Sequence, residues 1–411
     1  MKNKINQIEL LAPAGNFEKL EIAIHYGADA VYIAGKNFSL RNFSGNFTLP
    51  EMEKAVQYAH DHGRKVYVAC NIYSRNSEQS EISDYLKELN KICPDAVIIA
   101  DPGILIEARE TLPDIPIHLS TQVNTTNYNS GLFWENNGIK RINVARELPI
   151  EDIKEIASRC SIEVESFVHG AMCISYSGRC LLSSFMTNRD SNRGMCSHPC
   201  RWKYSVVEEL RPNEYMPIFE DDYGSYIFNS KDLCMIEHIP EMIEAGISSL
   251  KIEGRMKGIN YVASAVKVYR EAIDFYFADP LNYKVKDEWI EELANINNRG
   301  YSTGFYLGKP DEITPDYTKH SPPVVHTFIG KVISRAGENC SYIEVRNKIF
   351  KGDTIEVLSK KGPAINDKII DILIEDDQSA DFAQPGSFVH IKHNGTFSPN
   401  DLIRRKDVNK V

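Results

Sequence analysis

The sequence predicts an α/β protein: a closed (β/α)8 TIM-like barrel with a cysteine-rich insertion after strand seven, followed by a small all-β domain. Three observations lead there. Eight short apolar runs recur in the first 255 residues, amphipathic stretches separate most of them, and the last part of the chain alternates with period two.

The runs occupy residues 10–15, 30–35, 66–71, 96–101, 117–122, 141–146, 162–169 and 249–254. Each is rich in apolar and β-branched residues and ends in glycine or a polar side chain, as strands buried on both faces do. Stretches such as 16–26 and 50–62 place an apolar residue every three or four positions, the mark of an amphipathic helix. A helix after each strand forces parallel pairing through right-handed crossovers, and eight such units close a barrel. An open doubly wound sheet is the competing architecture. Its phosphate-binding turn is absent: the chain has no G-x-G-x-x-G and no G-x-x-x-x-G-K-[ST].

Strands seven and eight stand about 80 residues apart, far beyond one loop and one helix. The intervening insertion, residues 170–247, leaves the carboxyl end of strand seven, where barrel active sites are built. Residues 256–315 read as trailing helices. After Ser321-Pro322-Pro323, the segments 327–333, 342–345, 353–358, 369–374 and 387–391 read as strands of a small β-barrel or sandwich. The expected domains are 1–315 and 322–411.

Composition narrows the function classes. The net charge is −10, which counts against nucleic acid as the main partner but leaves room for a local basic patch. No apolar run reaches the roughly 18 residues of a membrane-spanning helix, and no leader-like apolar segment opens the chain, so a cytoplasmic protein is expected. Nine cysteines in that reducing compartment are not a disulfide framework. Four of them (Cys70, Cys93, Cys160, Cys340) are scattered among apolar neighbours, whereas five fall between Cys173 and Cys234.

Polar residues mark the carboxyl ends of the predicted strands: Asn71, Asp101, Gln122, Arg146, Glu147, His169, Lys251, Glu253 and Arg255. In a barrel these positions converge on one mouth. Arg146, Lys251 and Arg255 would give it three cations, suited to a small anionic co-substrate. Asp101, just before Pro102, reads instead as a helix cap. Cys173, Cys180, Cys196, Cys200 and Cys234 offer thiolates for a soft metal or an iron–sulfur cluster. The first four are spaced by seven, sixteen and four residues. None forms the paired C-x2-C knuckle of structural zinc, so a cluster is favoured and zinc stays open. The signatures H-E-x-x-H and G-x-S-x-G are absent. Phe185, Trp202 and Tyr204 lie among Arg189, Arg193, Arg201 and Lys203, a pattern that suits a stacked, unpaired base or an ordinary solvated loop.

The segment Glu165-Ser-Phe-Val-His-Gly-Ala-Met-Cys-Ile-Ser-Tyr-Ser-Gly-Arg-Cys-Leu-Leu-Ser183 resembles the signature of the collagenase-like peptidase family, number 32 of class U. The resemblance extends through Glu9-Leu-Leu-Ala-Pro-Ala-Gly15, Gly27-Ala-Asp-Ala-Val-Tyr32, Ala100-Asp-Pro-Gly103 and His118-Leu-Ser-Thr-Gln122. It continues in Asn188-Arg-Asp190, Asn229-Ser-Lys-Asp-Leu233 and Leu250-Lys-Ile-Glu-Gly-Arg255, and covers nearly the whole chain. It implies an oxygen-independent hydroxylase carrying a 4Fe-4S cluster. The branch nearest this chain forms 5-hydroxyuridine at the tRNA wobble position, with prephenate as the hydroxyl source. Other branches hydroxylate a ribosomal RNA cytidine or act in anaerobic ubiquinone synthesis. Carried over by position, the cluster ligands are Cys173, Cys180, Cys196 and a fourth, for which Cys234 is preferred and Cys200 is the alternative. The expected catalytic residues are His169, Arg146, Lys251, Glu253 and Arg255; the expected substrate contacts are Asn71, Gln122, Arg193 and Trp202. A peptidase is the competing function.

Overall fold

A computed structural model describes residues 8–39, 45–173, 175–202, 207–208, 211–215, 219–221, 224–226, 231–307, 326–374 and 378–406. The eight predicted strands form β1 (Glu9–Pro13), β2 (Ala30–Ala34), β3 (Lys65–Cys70), β4 (Ala96–Ile99), β5 (Ile117–Leu119), β6 (Arg141–Asn143), β7 (Glu163–Gly170) and β8 (Ser249–Ile252). Each pairs in parallel with the next, and β8 pairs with both β7 and β1, which closes the barrel.

Local chemistry starts the helices where the strands end. Asn16 accepts from the Lys19 amide to open α1 (Phe17–His25), and Thr48 with Glu51 forms a capping box on α2 (Leu49–Asp61). α3 spans Gln79–Ile92. Asp101 accepts from the Gly103 and Ile104 amides to start α4 (Pro102–Thr111), so it caps as its place before Pro102 suggested. α5 (Tyr128–Asn136) and α6 (Ile150–Arg159) complete this part of the outer ring.

The insertion contributes the short α7 (Leu182–Thr187) and a strand, Asp232–Cys234, that turns back antiparallel along the end of β7. α8 (Ile239–Glu244) leads into β8. The trailing α9 (Ile259–Ala278) is the longest described helix, with thirteen buried residues; α10 (Asp287–Ala294) follows it. No helix among the described residues is long and apolar enough to cross a membrane.

The second domain begins at His326 with the strand His326–Gly337, the centre of an eight-stranded antiparallel half-barrel. Ile329, Val332, Ile343, Val357, Ile391 and Ile403 fill its own core. The expected boundary at 315–322 lies outside the described residues. The two domains touch through α1: the Tyr26 hydroxyl donates to the Leu358 carbonyl at 2.6 Å, and His25 meets Asp401 at 3.1 Å.

Candidate active site

The carboxyl ends of the strands open on a cavity of about 310 Å³. From the barrel it is lined by Asn71, Gln122, Asn143, Arg146, Lys251, Glu253 and Arg255. From the insertion it is lined by Cys173, Cys180, Cys196 and Cys200. The aromatic rings of Tyr32 and Phe167 add apolar wall.

Below the cavity runs a charge ladder that is buried or half-buried apart from Glu163. Arg141 donates to Glu9 at 2.5 Å, to Glu163 at 2.7 Å and to Glu165 at 3.4 Å. Lys251 Nζ donates to Glu165 Oε1 at 2.7 Å. Burial raises the Glu165 carboxyl, but Lys251 and Arg141 outweigh it and hold the group below the usual carboxylate range. Burial pushes Lys251 down from its ordinary value, and the pull of Glu165 opposes that only in part. A single charge there would be costly; the alternation of acid and base makes the ladder tolerable.

The cations above the ladder are held by different means. The Arg146 guanidinium lies over the Phe167 ring, 3.9 Å from its centroid, and donates to the Ala171 carbonyl at 2.9 Å, which ties the start of the insertion to the loop after β6. Lys251 faces the Tyr32 ring at 4.6 Å. Arg255 is 3% exposed and donates to Ser39 at 3.2 Å. Gln122 accepts from the Ser120 hydroxyl at 3.2 Å, while its Nε2 has no hydrogen-bond partner among the described residues. The insertion passes so close that a Cβ on Gly178, whose φ is +73°, would come within 2.8 Å of the Gln122 side chain.

Four expected site residues lie away from the cavity wall. His169 does not face the mouth: a register shift between β7 and β8 at this point turns it outward. Its ring sits among Tyr261, Tyr269 and Tyr301 at 5.4–5.7 Å, both nitrogens lack partners among the described residues, and burial pushes its pKa down to about 4. Cys234, cross-strand from His169, is also behind the wall; the Tyr269 hydroxyl lies 3.8 Å from its sulfur, and burial pushes the thiol up to about 11. Arg193 pairs with both oxygens of Glu78 and donates to the Tyr73 carbonyl at 2.9 Å, fastening the insertion to the loop after β3. Trp202 is 40% exposed on the outer surface of the insertion, as is Phe185 at 84%. Lys203, Tyr204 and the Arg201 side chain lie outside the described residues.

Asn143 and Glu165 were not singled out from sequence. The signal was present: with period two, Arg141 and Asn143 share one face of β6, as Glu163 and Glu165 do on β7. Polar residues repeating at that period inside an apolar run point into the barrel.

The cysteines supply soft, ionisable donors of the right kind for an iron–sulfur cluster. Cys173 is exposed, and Cys180, Cys196 and Cys200 are half-buried. They line one wall without converging: among the described residues no three of His, Cys, Asp and Glu stand close enough to hold a metal ion.

Comparison with known proteins adds two family matches. Residues 15–315 match Peptidase family U32, and residues 325–404 match the Peptidase family U32 C-terminal domain. The chain is 42% identical over 399 residues to tRNA hydroxylation protein P1 of Bacillus subtilis, covering 97% of this chain and 94% of that one. It is 36% identical over 396 residues to tRNA hydroxylation protein P of Escherichia coli, covering 86% of each. It is also 31% identical over 420 residues to a protein of Porphyromonas gingivalis named collagenase, covering 98% of this chain and 99% of that one. Matched by these two models over nearly its whole length, the chain belongs to peptidase family U32.

Proposed function

We propose that this protein is a tRNA-modifying enzyme, an iron–sulfur-dependent hydroxylase that works without dioxygen. It forms 5-hydroxyuridine at the wobble position, with prephenate as the hydroxyl source. The observation that carries the reading is one cavity with two unlike walls: Arg146, Lys251 and Arg255 on the barrel side, and Cys173, Cys180, Cys196 and Cys200 on the insertion side. The relatives named tRNA hydroxylation proteins support the substrate class.

Each part then has a task. Arg146, Lys251 and Arg255 hold the carboxylates of a small anion, and the rings of Tyr32 and Phe167 pack its apolar body. The insertion covers the mouth and excludes water. Cys173, Cys180 and Cys196, with Cys200 or Cys234, would hold the cluster, which when bound would carry electrons one at a time. The acidic balance of the chain is not uniform: residues 171–202 carry four arginines against one aspartate, a net +3, with Arg193 among them neutralised by Glu78. That rim, with Phe185 and Trp202 exposed on it, suits phosphates and unpaired bases.

The test is nucleoside mass spectrometry of tRNA from a deletion strain with and without the wild-type chain. Loss and restoration of 5-hydroxyuridine derivatives is expected; unchanged derivatives, with no second hydroxylase present, overturn the reading. A peptidase would need a nucleophile and a base in the same cavity. Cys196 Sγ and His198 Nδ1, 4.0 Å apart, are the candidate pair. Gelatin cleavage by the purified chain, abolished in both Cys196→Ala and His198→Ala, is the result that would support it.

A further inference from the structure

Glu165 does not line the cavity, yet it fixes two residues that do. Its Oε1 accepts from Lys251 Nζ at 2.7 Å and from Asn143 Nδ2 at 2.8 Å; Oε2 accepts from Arg141 at 3.4 Å and from the Ser249 hydroxyl at 3.5 Å. An ionised carboxylate can only accept hydrogen bonds. Asn143 must therefore turn its NH2 toward Glu165, so chemistry settles which way this amide points. Its Oδ1 is turned away and buried, Asn143 being 2% exposed, and has no hydrogen-bond partner among the described residues. A buried acceptor left unpaired costs stability unless a ligand supplies the missing hydrogen. Lys251, held by the same carboxylate oxygen, has further N–H groups to offer beside it.

We propose that Asn143 and Lys251, both held by one oxygen of Glu165, form a paired acceptor-and-donor subsite at the cavity floor. It takes a ligand group with a hydrogen to give next to an oxygen to share. Within the hydroxylase reading, on which the proposal rests, two sources have that chemistry: the N–H and adjacent carbonyl of a pyrimidine imide, and the hydroxyl and carboxylate of a small hydroxy acid. Asn143 contacts the ligand. Glu165 is a positioning residue that acts through Asn143 and Lys251.

The test is calorimetric binding to the full chain, purified anaerobically with its metal content measured. Two matched probe pairs differ only at the donor: uridine against N3-methyluridine, and mandelate against phenylacetate. Wild type is expected to prefer the donor-bearing member of one pair by about tenfold, the worth of one such hydrogen bond. Preference for uridine assigns the subsite to the target base; preference for mandelate assigns it to the co-substrate. Asn143→Ala should erase the preference. Glu165→Gln should erase it too, because the new amide lets Asn143 turn over, although no cavity-lining residue is replaced. If Glu165→Gln fails to fold, Asn143→Ala alone decides. A preference that survives Asn143→Ala, or the lack of any preference in wild type, overturns the subsite. The hydroxylase reading fails separately, in the tRNA of the deletion strain.

Discussion

Arg404, on the strand Leu402–Lys406 of the second domain, is clamped to Glu292 on α10 of the barrel, at 2.7 Å and 2.5 Å through two nitrogens. The same guanidinium donates through Nε to Glu356 at 2.8 Å, and Arg404 is 1% exposed. Removing one member of a buried ion pair strands its partners and costs about 3–5 kcal/mol. Arg404→Ala is expected to lower stability by about that amount in urea unfolding. Adding Glu292→Gln and Glu356→Gln should recover much of the loss, since no charge is then left stranded. A wild-type urea midpoint for Arg404→Ala would show that this clamp does not join the domains.

The same clamp should loosen in acid. Burial raises the Glu356 carboxyl, but His326 and Arg404 outweigh it and hold the group at about 2, against an ordinary 4.5. A depressed carboxylate contributes stability above its unfolded value and loses it as pH falls through the folded value. Thermal stability is therefore expected to decline as pH drops from about 4.5 toward about 2, with a shallower decline in Glu356→Gln over the same window.

The barrel was legible because strands buried on both faces leave an unbroken apolar signature, as in Ala96–Ile99 and Ala30–Ala34. The mouth was legible for the same reason: a polar residue just after such a run, such as Asn71 or Glu253, reaches the cavity rim unless, like Asp101, it caps the next helix. His169 broke the rule. A register shift reverses which face a residue takes, and strand periodicity carries no sign of it. Arg193 looked like a phosphate contact, but a cation's partner can lie far along the chain, here Glu78, and spacing does not reveal it.

His169 offers a direct check on that correction. Burial holds its ring neutral, with a pKa of about 4 against an ordinary 6.5. The unfolded chain thus binds more protons between those values, and the stability His169 contributes is lost as pH falls from about 6.5 to about 4. His169→Phe keeps an aromatic ring in the tyrosine cage. It is expected to flatten the pH dependence of unfolding in that window and to leave tRNA hydroxylation in place. Loss of hydroxylation with a normal fold would return His169 to the catalytic group.

The fourth cluster ligand can be decided by counting metal. Anaerobic preparations of Cys173→Ala, Cys180→Ala and Cys196→Ala are each expected to lose iron and acid-labile sulfide. Of Cys200→Ala and Cys234→Ala, one should lose them and the other keep them. Loss in Cys200→Ala alone selects the thiol that lines the cavity. Loss in Cys234→Ala alone means that the buried thiol beside Tyr269 is drawn out on loading, against the burial that raises it to about 11. Retention of iron and sulfide in all five variants would show that these thiols are not what holds them.

Arg193 and Glu78 should behave as a latch for the insertion. Both are about four-fifths buried, they meet through two nitrogens and two oxygens, and the Tyr73 carbonyl takes a further bond from Arg193. Hydrogen bonding from Arg193 holds Glu78 below the ordinary carboxylate value, so the pair is charged at neutral pH. Bidentate geometry of this kind is more specific than an ordinary surface pair. Arg193→Ala is expected to speed limited proteolysis within residues 171–202 and to lower iron occupancy, because the same segment carries Cys173, Cys180, Cys196 and Cys200. Glu78→Ala should give the same two effects, although it lies outside the insertion. The charge-swapped pair Arg193→Glu with Glu78→Arg should restore part of both. If Arg193→Ala alone weakened RNA binding while protease resistance and iron were unchanged, Arg193 would be a phosphate contact after all and the latch would be wrong.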